Sequence, residues 1–466
     1  MAEETWHAAR LIPTSGISGA DEQERRATSA LLAVMAAVRE FGRAITRPLG
    51  APAGTIETFI EVPFDVDGKK VFPDGLIRIR RGQRSWVALV EVKTGTNQLD
   101  AAQLEAYLDV AREHGYDALL TISNEIPAVL GTHPTPVDRR KLRRVALHHL
   151  SWTQVLTEAV LQKVHRGVAD PDQAWILGEL IRYLEHPRSG ALEFDDMGAS
   201  WVAVRDAVAA GTIRAADKAA SEVAGRWDQL LMYVSLRLGR RLGIEVQPNL
   251  SRREVLEPAL RGQAVVQTLV EKGVLEGGVR IPNTVGPLVV TADLRAARVT
   301  VWVDVEAPRE GRPQTRVNWL VRQLKDAPDA VRVDCFKRGR GSSTSELLRD
   351  VRSNPSLLVD DPKREIRGFR VALSAPMGLK RGQGRGSFVG SVLSLVDDFY
   401  ESTVQRIKPW AAPPPRLRPP VPDEAQQDVP TSLVSTSISS QDGPSPSVGA
   451  AEATPAPDTS LSATLE

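Results

Sequence analysis

The sequence predicts an α/β (α+β) protein: a core in the order α-β-β-β-α-β, a second α+β domain behind it, and a disordered C-terminal tail. Three observations carry this. Leu31, Val34, Met35, Val38 and Ile45 recur at helical spacing. Three runs rich in β-branched residues and separated by turn residues follow, then a second helix pattern and another apolar run. Finally, residues 411–466 hold eleven of the chain's 32 prolines but no aromatic residue and no lysine. Such a segment cannot bury enough apolar area to offset the entropy of ordering it.

The elements follow in order. Residues 1–20 read as a flexible lead-in. Asp21 to Thr46 reads as one helix, and Pro48 to Gly54 breaks it. Thr55–Phe64 alternates as a strand does, with a turn at Asp67-Gly68. Strands at Asp74–Ile79 and Trp86–Lys93 flank Arg81-Gly82-Gln83, a turn signal. Asn97 or Asp100 can cap a helix reaching His114, with Gly115 placed to end it. Asp117–Ser123 and Val145–Leu150 read as further strands. Ser151 caps a helix to about His165, and Asp170–Leu184 is amphipathic. These elements make a domain over 21–187. From 188 to 410 the pattern changes: helices at Ile213–Leu242, Arg252–Lys272, Pro313–Lys325 and Phe388–Ile407 mix with strands at Leu288–Thr291, Val299–Val305, Ala330–Phe336 and Arg367–Ser374.

Composition narrows the function classes. A formal net charge of +1 gives no whole-chain field toward nucleic acid or membrane, although the last 56 residues alone carry −5. Cys335 is the only cysteine, which excludes a disulfide framework and a cysteine zinc site. The polar, acidic start of the chain is unlike a signal peptide, and no apolar run approaches a membrane span, so the expected location is cytoplasmic, with no membrane partner.

Chemistry concentrates in a short stretch. Pro73-Asp74 opens one strand. Val90-Glu91-Val92-Lys93 closes the next, and Gln103 and Tyr107 lie four apart on the helix that follows. Glu91 and Lys93 leave one face of their strand while the valines leave the other toward a core. A hairpin through Gly82 brings Asp74 near Glu91. Two carboxylates so placed repel unless a cation lies between them. Hard oxygen ligands suit Mg²⁺, or Mn²⁺ in its place. Lys93 then orients or polarises an attacking water, or stabilises charge on a phosphate.

These motifs resemble those of the PD-(D/E)XK nuclease superfamily, the restriction-endonuclease-like fold. Asp74 and Glu91-Val92-Lys93 match its signature, and Lys93-Thr94-Gly95 with Gln103-x-x-x-Tyr107 is similar to its RecB-like branch. The likeness covers about residues 21–165. It implies Asp74 and Glu91 as metal ligands, Lys93 as the catalytic lysine, and Gln103 and Tyr107 as groups that position the site. In that family an acid on the first helix often joins the site. Glu24 is the best match, because it stands seven residues before Leu31 on the buried face. Glu57 and Glu61 are rival acids. The implied activity is Mg²⁺-dependent hydrolysis of DNA phosphodiester bonds, in restriction, phage defence or repair. A homodimer is compatible with this, as is a protein partner bound through 188–410 or the tail. The alternative is a nuclease-like fold without catalysis that binds nucleic acid or proteins, for example in a stress response.

Other features are weaker. Arg139-Arg140-Lys141 with Arg143-Arg144 forms a basic run, and Arg78, Arg80, Arg81 and Arg84 are expected beside the site. Either group could contact phosphates. Lys337–Gly341 and Lys380–Gly386 are basic, glycine-rich loops that match no nucleotide-binding pattern. His148 and His149 face opposite sides of a strand and so make a poor ligand pair. Trp152 is expected as a core anchor and Cys335 as a small buried hydrophobe.

Overall fold

In the computed structural model, described residues are 7–8, 20–66, 69–129, 131–338 and 343–412. The Asp67-Gly68 turn, most of the 1–20 lead-in, part of the Lys337–Gly341 loop and nearly all of the 411–466 tail lie outside them. The protein is mixed α/β.

The first helical pattern folds as two helices, α1 (Ala20–Ala37) and α2 (Arg39–Thr46), where the sequence suggests one. The break is at Val38, whose backbone is extended (φ −101°, ψ 92°). Gly42 gives the reason: a Cβ there would stand 2.1 Å from the Met35 carbonyl oxygen. The chain turns back so tightly that α2 packs directly on the backbone of α1, and only glycine admits that approach.

Strand β1 is His7–Ala8 and β2 is Thr55–Ile60. The expected longer strand stops there because Glu61 takes a left-handed φ of 49°. Beyond it, β3 (Phe64–Val66) and β4 (Lys69–Val71) pair as a separate ribbon. Strands β5 (Gly75–Arg81) and β6 (Arg84–Val92) form the expected hairpin. Gly82 supplies the φ of 58° that a two-residue turn asks of its first central position. Helix α3 (Ala101–Glu113) follows, capped by Asp100, whose carboxylate accepts the Gln103 N–H at 2.8 Å. Strands β7 (Ala118–Ser123) and β8 (Ala146–Ser151) then run parallel to β6. The sheet order is β1-β2-β5-β6-β7-β8.

Residues Trp86 to Val92 are all buried, so β6 is covered on both faces. One face packs Ala88, Val90 and Val92 against α1, α2, α4 (Trp152–Val160) and α5 (Pro171–Glu185). The other packs Val87 and Leu89 against Leu104, Tyr107 and Leu108 of α3. Glu91 belongs to this second face.

The later residues build a fully antiparallel seven-stranded sheet. Its helices include α6 (Trp201–Ala209), α7 (Lys218–Leu242), α8 (Arg252–Leu256), α9 (Pro258–Lys272), α10 (Pro313–Gln323), α11 (Leu348–Ser353) and α12 (Phe388–Ser402). Pro258 divides the expected Arg252–Lys272 helix into α8 and α9. Val274–Arg280 is a strand that the pattern did not suggest, because Gly277-Gly278 interrupts it. A Cβ on Gly277 would lie 2.2 Å from Leu231 Cδ1, so the glycine is where α7 presses on the sheet. Trp201, Trp227 and Phe388 anchor this core, and Cys335 is buried in it. The described residues up to Ala411 form one compact unit, and none of its helices is long and apolar enough to cross a membrane.

Candidate active site

Backbone register brings the carboxylates together. Gly75 pairs with Val90, so Asp74 and Glu91 are opposed one step further along the hairpin. The Val92 N–H donates to Asp74 Oδ2 at 2.8 Å and fixes that carboxylate beside the end of β6. Glu91 is only 1% exposed, and neither of its oxygens has a hydrogen bond of regular geometry. Lys93 Nζ stands 2.7 Å from Glu91 Oε1 and 3.6 Å from Glu24 Oε2. Glu24 is further held by the Thr94 N–H (3.3 Å) and the Asn97 amide (2.6 Å) on its Oε1. Asn97, a candidate helix cap, therefore serves this acid instead.

The electrostatics follow from burial. Desolvation pushes the Glu91 carboxyl up to about 8; the Asp74 carboxylate pushes the same way and Lys93 opposes. Asp74 is also raised, by burial first, against the pull of the Val92 N–H and Lys93. Burial works against the Lys93 charge, but Glu91, Glu24 and Asp74 outweigh it and hold the ammonium protonated. At neutral pH without a cation, the pair therefore carries less than its full negative charge.

This has a consequence for stability. Glu91 titrates near 8 in the folded chain and near 4.5 when free. Between those values the folded protein holds a proton that the unfolded protein has released, so stability falls as pH rises through this window. Glu91→Gln cannot ionise and should remove that slope, on the order of 3 kcal/mol between pH 5 and 8. Urea unfolding of both proteins in chelator at the two pH values measures it. Identical pH slopes would show that Glu91 is not held protonated.

Gln103 and Tyr107 lie behind the pair. Gln103 Nε2 donates to the Tyr107 hydroxyl at 3.1 Å, and that hydroxyl donates to the Phe72 carbonyl at 3.2 Å. Helix α3 is thereby tied to the segment entering Asp74. Burial, then Glu91, pushes the Tyr107 phenol up to about 12, so it stays a donor. Trp152, only 1% exposed, donates its indole N–H to the Lys93 carbonyl at 2.9 Å. The structure thus gathers Glu24, Asp74, Glu91, Lys93, Gln103 and Tyr107 at one end of the sheet. The rival acids are engaged elsewhere: Glu57 pairs with Arg78 (2.7 Å) and Arg80 (3.3 Å), and Glu61 with Arg25 (2.9 Å).

Arg81 and Arg84 do not sit beside this site, contrary to the sequence expectation. They flank the hairpin turn at the far end of β5 and β6. Proximity in sequence misled here because the strands lead away from Asp74 toward the turn.

Two features had no local sequence signal. First, Glu91, Thr121 and His149 occupy one row across three parallel strands. His149 Nε2 faces the Glu125 carbonyl at 2.8 Å and so carries the proton. Burial brings this ring down to about 4, so it is neutral and its Nδ1 accepts from the Thr121 hydroxyl at 2.9 Å. His133 Nε2 stands 2.8 Å from the same Thr121 oxygen, while its Nδ1 faces the Thr135 carbonyl at 2.8 Å. This row closes one side of the site. Second, residues 188–192 line the rim. The Gly95 N–H donates to the Gly190 carbonyl (2.9 Å), and Asn124 Nδ2 donates to the Gly95 and Gly190 carbonyls (2.9 and 2.7 Å). Gln23 Nε2 reaches the Arg188 carbonyl at 2.8 Å, and the Leu192 N–H reaches Asn124 Oδ1 at 2.8 Å. Gly190 has a φ of 81°, and a Cβ there would strike Gln23 and Thr94 at 2.7 Å.

Among the described residues, no group of three His, Cys, Asp or Glu side chains forms a ready-made metal cage. The candidate donors are the Asp74–Glu91 pair. The two buried, poorly hydrogen-bonded oxygens of Glu91, beside a second carboxylate, suit a hard divalent cation. Set against known proteins, the chain matches no family model, no curated protein and no solved structure.

Proposed function

We propose that this chain is a Mg²⁺- or Mn²⁺-dependent nuclease that hydrolyses DNA phosphodiester bonds at the Asp74–Glu91–Lys93 site, on a restriction-endonuclease-like core. One observation carries the reading. A glutamate that is 1% exposed lacks regular hydrogen bonds, faces a second carboxylate, and touches a lysine at 2.7 Å. A core that served stability alone would be better served by apolar residues here. Support for the fold comes from the order α1, β2, β5, β6, α3, β7, which follows the α-β-β-β-α-β plan.

Asp74 and Glu91 would hold the cation. When bound, it supplies Lewis acidity, neutralising phosphate charge and making water a stronger nucleophile at neutral pH. The Lys93 ammonium, anchored by Glu91 and Glu24, presents its donors to an anionic phosphate. Gln103, Tyr107 and Trp152 hold the two carboxylates and the lysine in register. Restriction, phage defence and repair are the settings in which such an activity serves.

The test is cleavage of plasmid, linear duplex and single-stranded DNA with Mg²⁺ or Mn²⁺, comparing wild type with Asp74→Ala. Metal-dependent cutting that falls at least ~10²-fold in the variant is the expected outcome. Absence of cutting by wild type under every condition would favour a non-catalytic binding module.

A further inference from the structure

Four arginines on a short turn have no carboxylate partner for their guanidinium groups among the described residues. Arg139, Arg140, Arg143 and Arg144 are exposed, and among the described residues none of their guanidinium groups has an ion pair or hydrogen bond. Acids are close by, but they hold the turn rather than neutralise it. Asp109 binds Lys141 at 2.5 Å and Arg112 at 2.9 Å. Glu105 Oε1 accepts the Asp138 N–H at 2.9 Å, and Asp138 Oδ1 accepts the Arg140 N–H at 2.9 Å. The turn is thus clamped to α3 from both sides while its arginines remain unpaired. Like charges crowded this way repel one another, a cost with no return inside the chain.

Their place in the sheet adds to this. Strand β6 runs from Arg84 to the acidic pair, and β8 runs parallel to it by way of β7. Arg144, two residues before Ala146 at the start of β8, therefore lies toward the end distant from Glu91. The β5–β6 turn is at that same end, and its exposed Arg81 and Arg84 also have no carboxylate partner among the described residues.

We infer that this arginine-bearing end of the sheet is a binding surface for the phosphates of a nucleic acid, separate from the acidic pair. The inference rests on the nuclease reading only for the choice of nucleic acid as the polyanion. Guanidinium groups suit phosphate oxygens, and four of them on one clamped turn, with Arg81 and Arg84 at the β5–β6 turn, make a multivalent electrostatic footprint. From Arg84 to Glu91 the strand covers ~23 Å at about 3.3 Å per residue. A duplex engaging both regions at once spans about seven base pairs at 3.4 Å per step.

The experiment uses the full chain and a labelled DNA duplex of about 30 base pairs, titrated by fluorescence anisotropy in chelator over a salt series. The quadruple variant R139Q/R140Q/R143Q/R144Q should weaken binding at least ~10-fold at low salt and make the plot of log affinity against log salt shallower by about three. The double variants R139Q/R140Q and R143Q/R144Q should each give part of that change, which guards against a folding defect in the quadruple variant. Unchanged affinity and slope in all three variants would overturn the proposal, as would absence of wild-type binding at low salt. Cleavage is scored separately with Mg²⁺. Arginine-dependent binding without any cleavage removes the nuclease reading and leaves this surface standing; cleavage with unaltered binding in the variants does the reverse.

Discussion

Lys93→Ala is expected to lower metal-dependent DNA cleavage by ~10²–10³-fold while the protein still folds. The magnitude is that of removing one positioned donor from charge that develops in a transition state. The ammonium is fixed 2.7 Å from Glu91 and 3.6 Å from Glu24, and these acids keep it protonated. Folding survives because Glu91, already titrating near 8, keeps its proton at neutral pH and leaves no bare charge in the core. Single-turnover cleavage gives the rate, and calorimetric Mn²⁺ binding shows whether the carboxylate pair is intact. Cleavage within tenfold of wild type would make Lys93 a structural counter-ion and remove it from the chemistry. Lys93→Arg should not rescue, since a planar guanidinium cannot occupy the same compact space.

Trp152→Ala should destabilise the protein by about 3–5 kcal/mol, the usual range for deleting a large buried aromatic side chain. Trp152 starts α4 and packs in the core beneath β6. Its indole N–H is also the only side-chain donor to the Lys93 carbonyl among the described residues, at 2.9 Å. Trp152→Phe keeps most of the packing and removes that bond, at about 1 kcal/mol. The two variants therefore separate bulk from hydrogen bond. Chemical denaturation gives both energies. If the phenylalanine variant loses as much stability as the alanine variant, the hydrogen bond and not the packing is the dominant contribution.

Much of this site could be read locally because its parts are close in sequence and lie on regular elements. Glu91 and Lys93 share a strand face, and a two-residue turn at Gly82 sets the hairpin register that brings Asp74 opposite Glu91. Glu24 could be picked from helical spacing, seven residues before Leu31, although α1 is buried nearly all round from Ala27 to Met35. What was not legible depends on contacts between distant residues. The extended backbone at Val38 follows from Gly42 meeting Met35, and a glycine stands at 277 within a strand because Leu231 needs the space. The row Glu91–Thr121–His149 is set by parallel pairing, which leaves no turn between its members. The direction of the two strands in the antiparallel β5–β6 hairpin puts Arg81 and Arg84 far from Asp74 despite their nearness in sequence.

The rim contributed by residues 188–192 decides where this polypeptide can be divided. A cut just after α5, at the composition change near residue 187, would strip away Gly190 and leave the Gly95 N–H and the Asn124 side-chain amide without the carbonyl that both now share. It would also take away the Arg188 carbonyl that orients Gln23 and the Leu192 N–H that orients Asn124. An N-terminal fragment meant to keep the site in working order has to extend beyond Leu192. The visible seam in the sequence is therefore not the mechanical seam in the molecule.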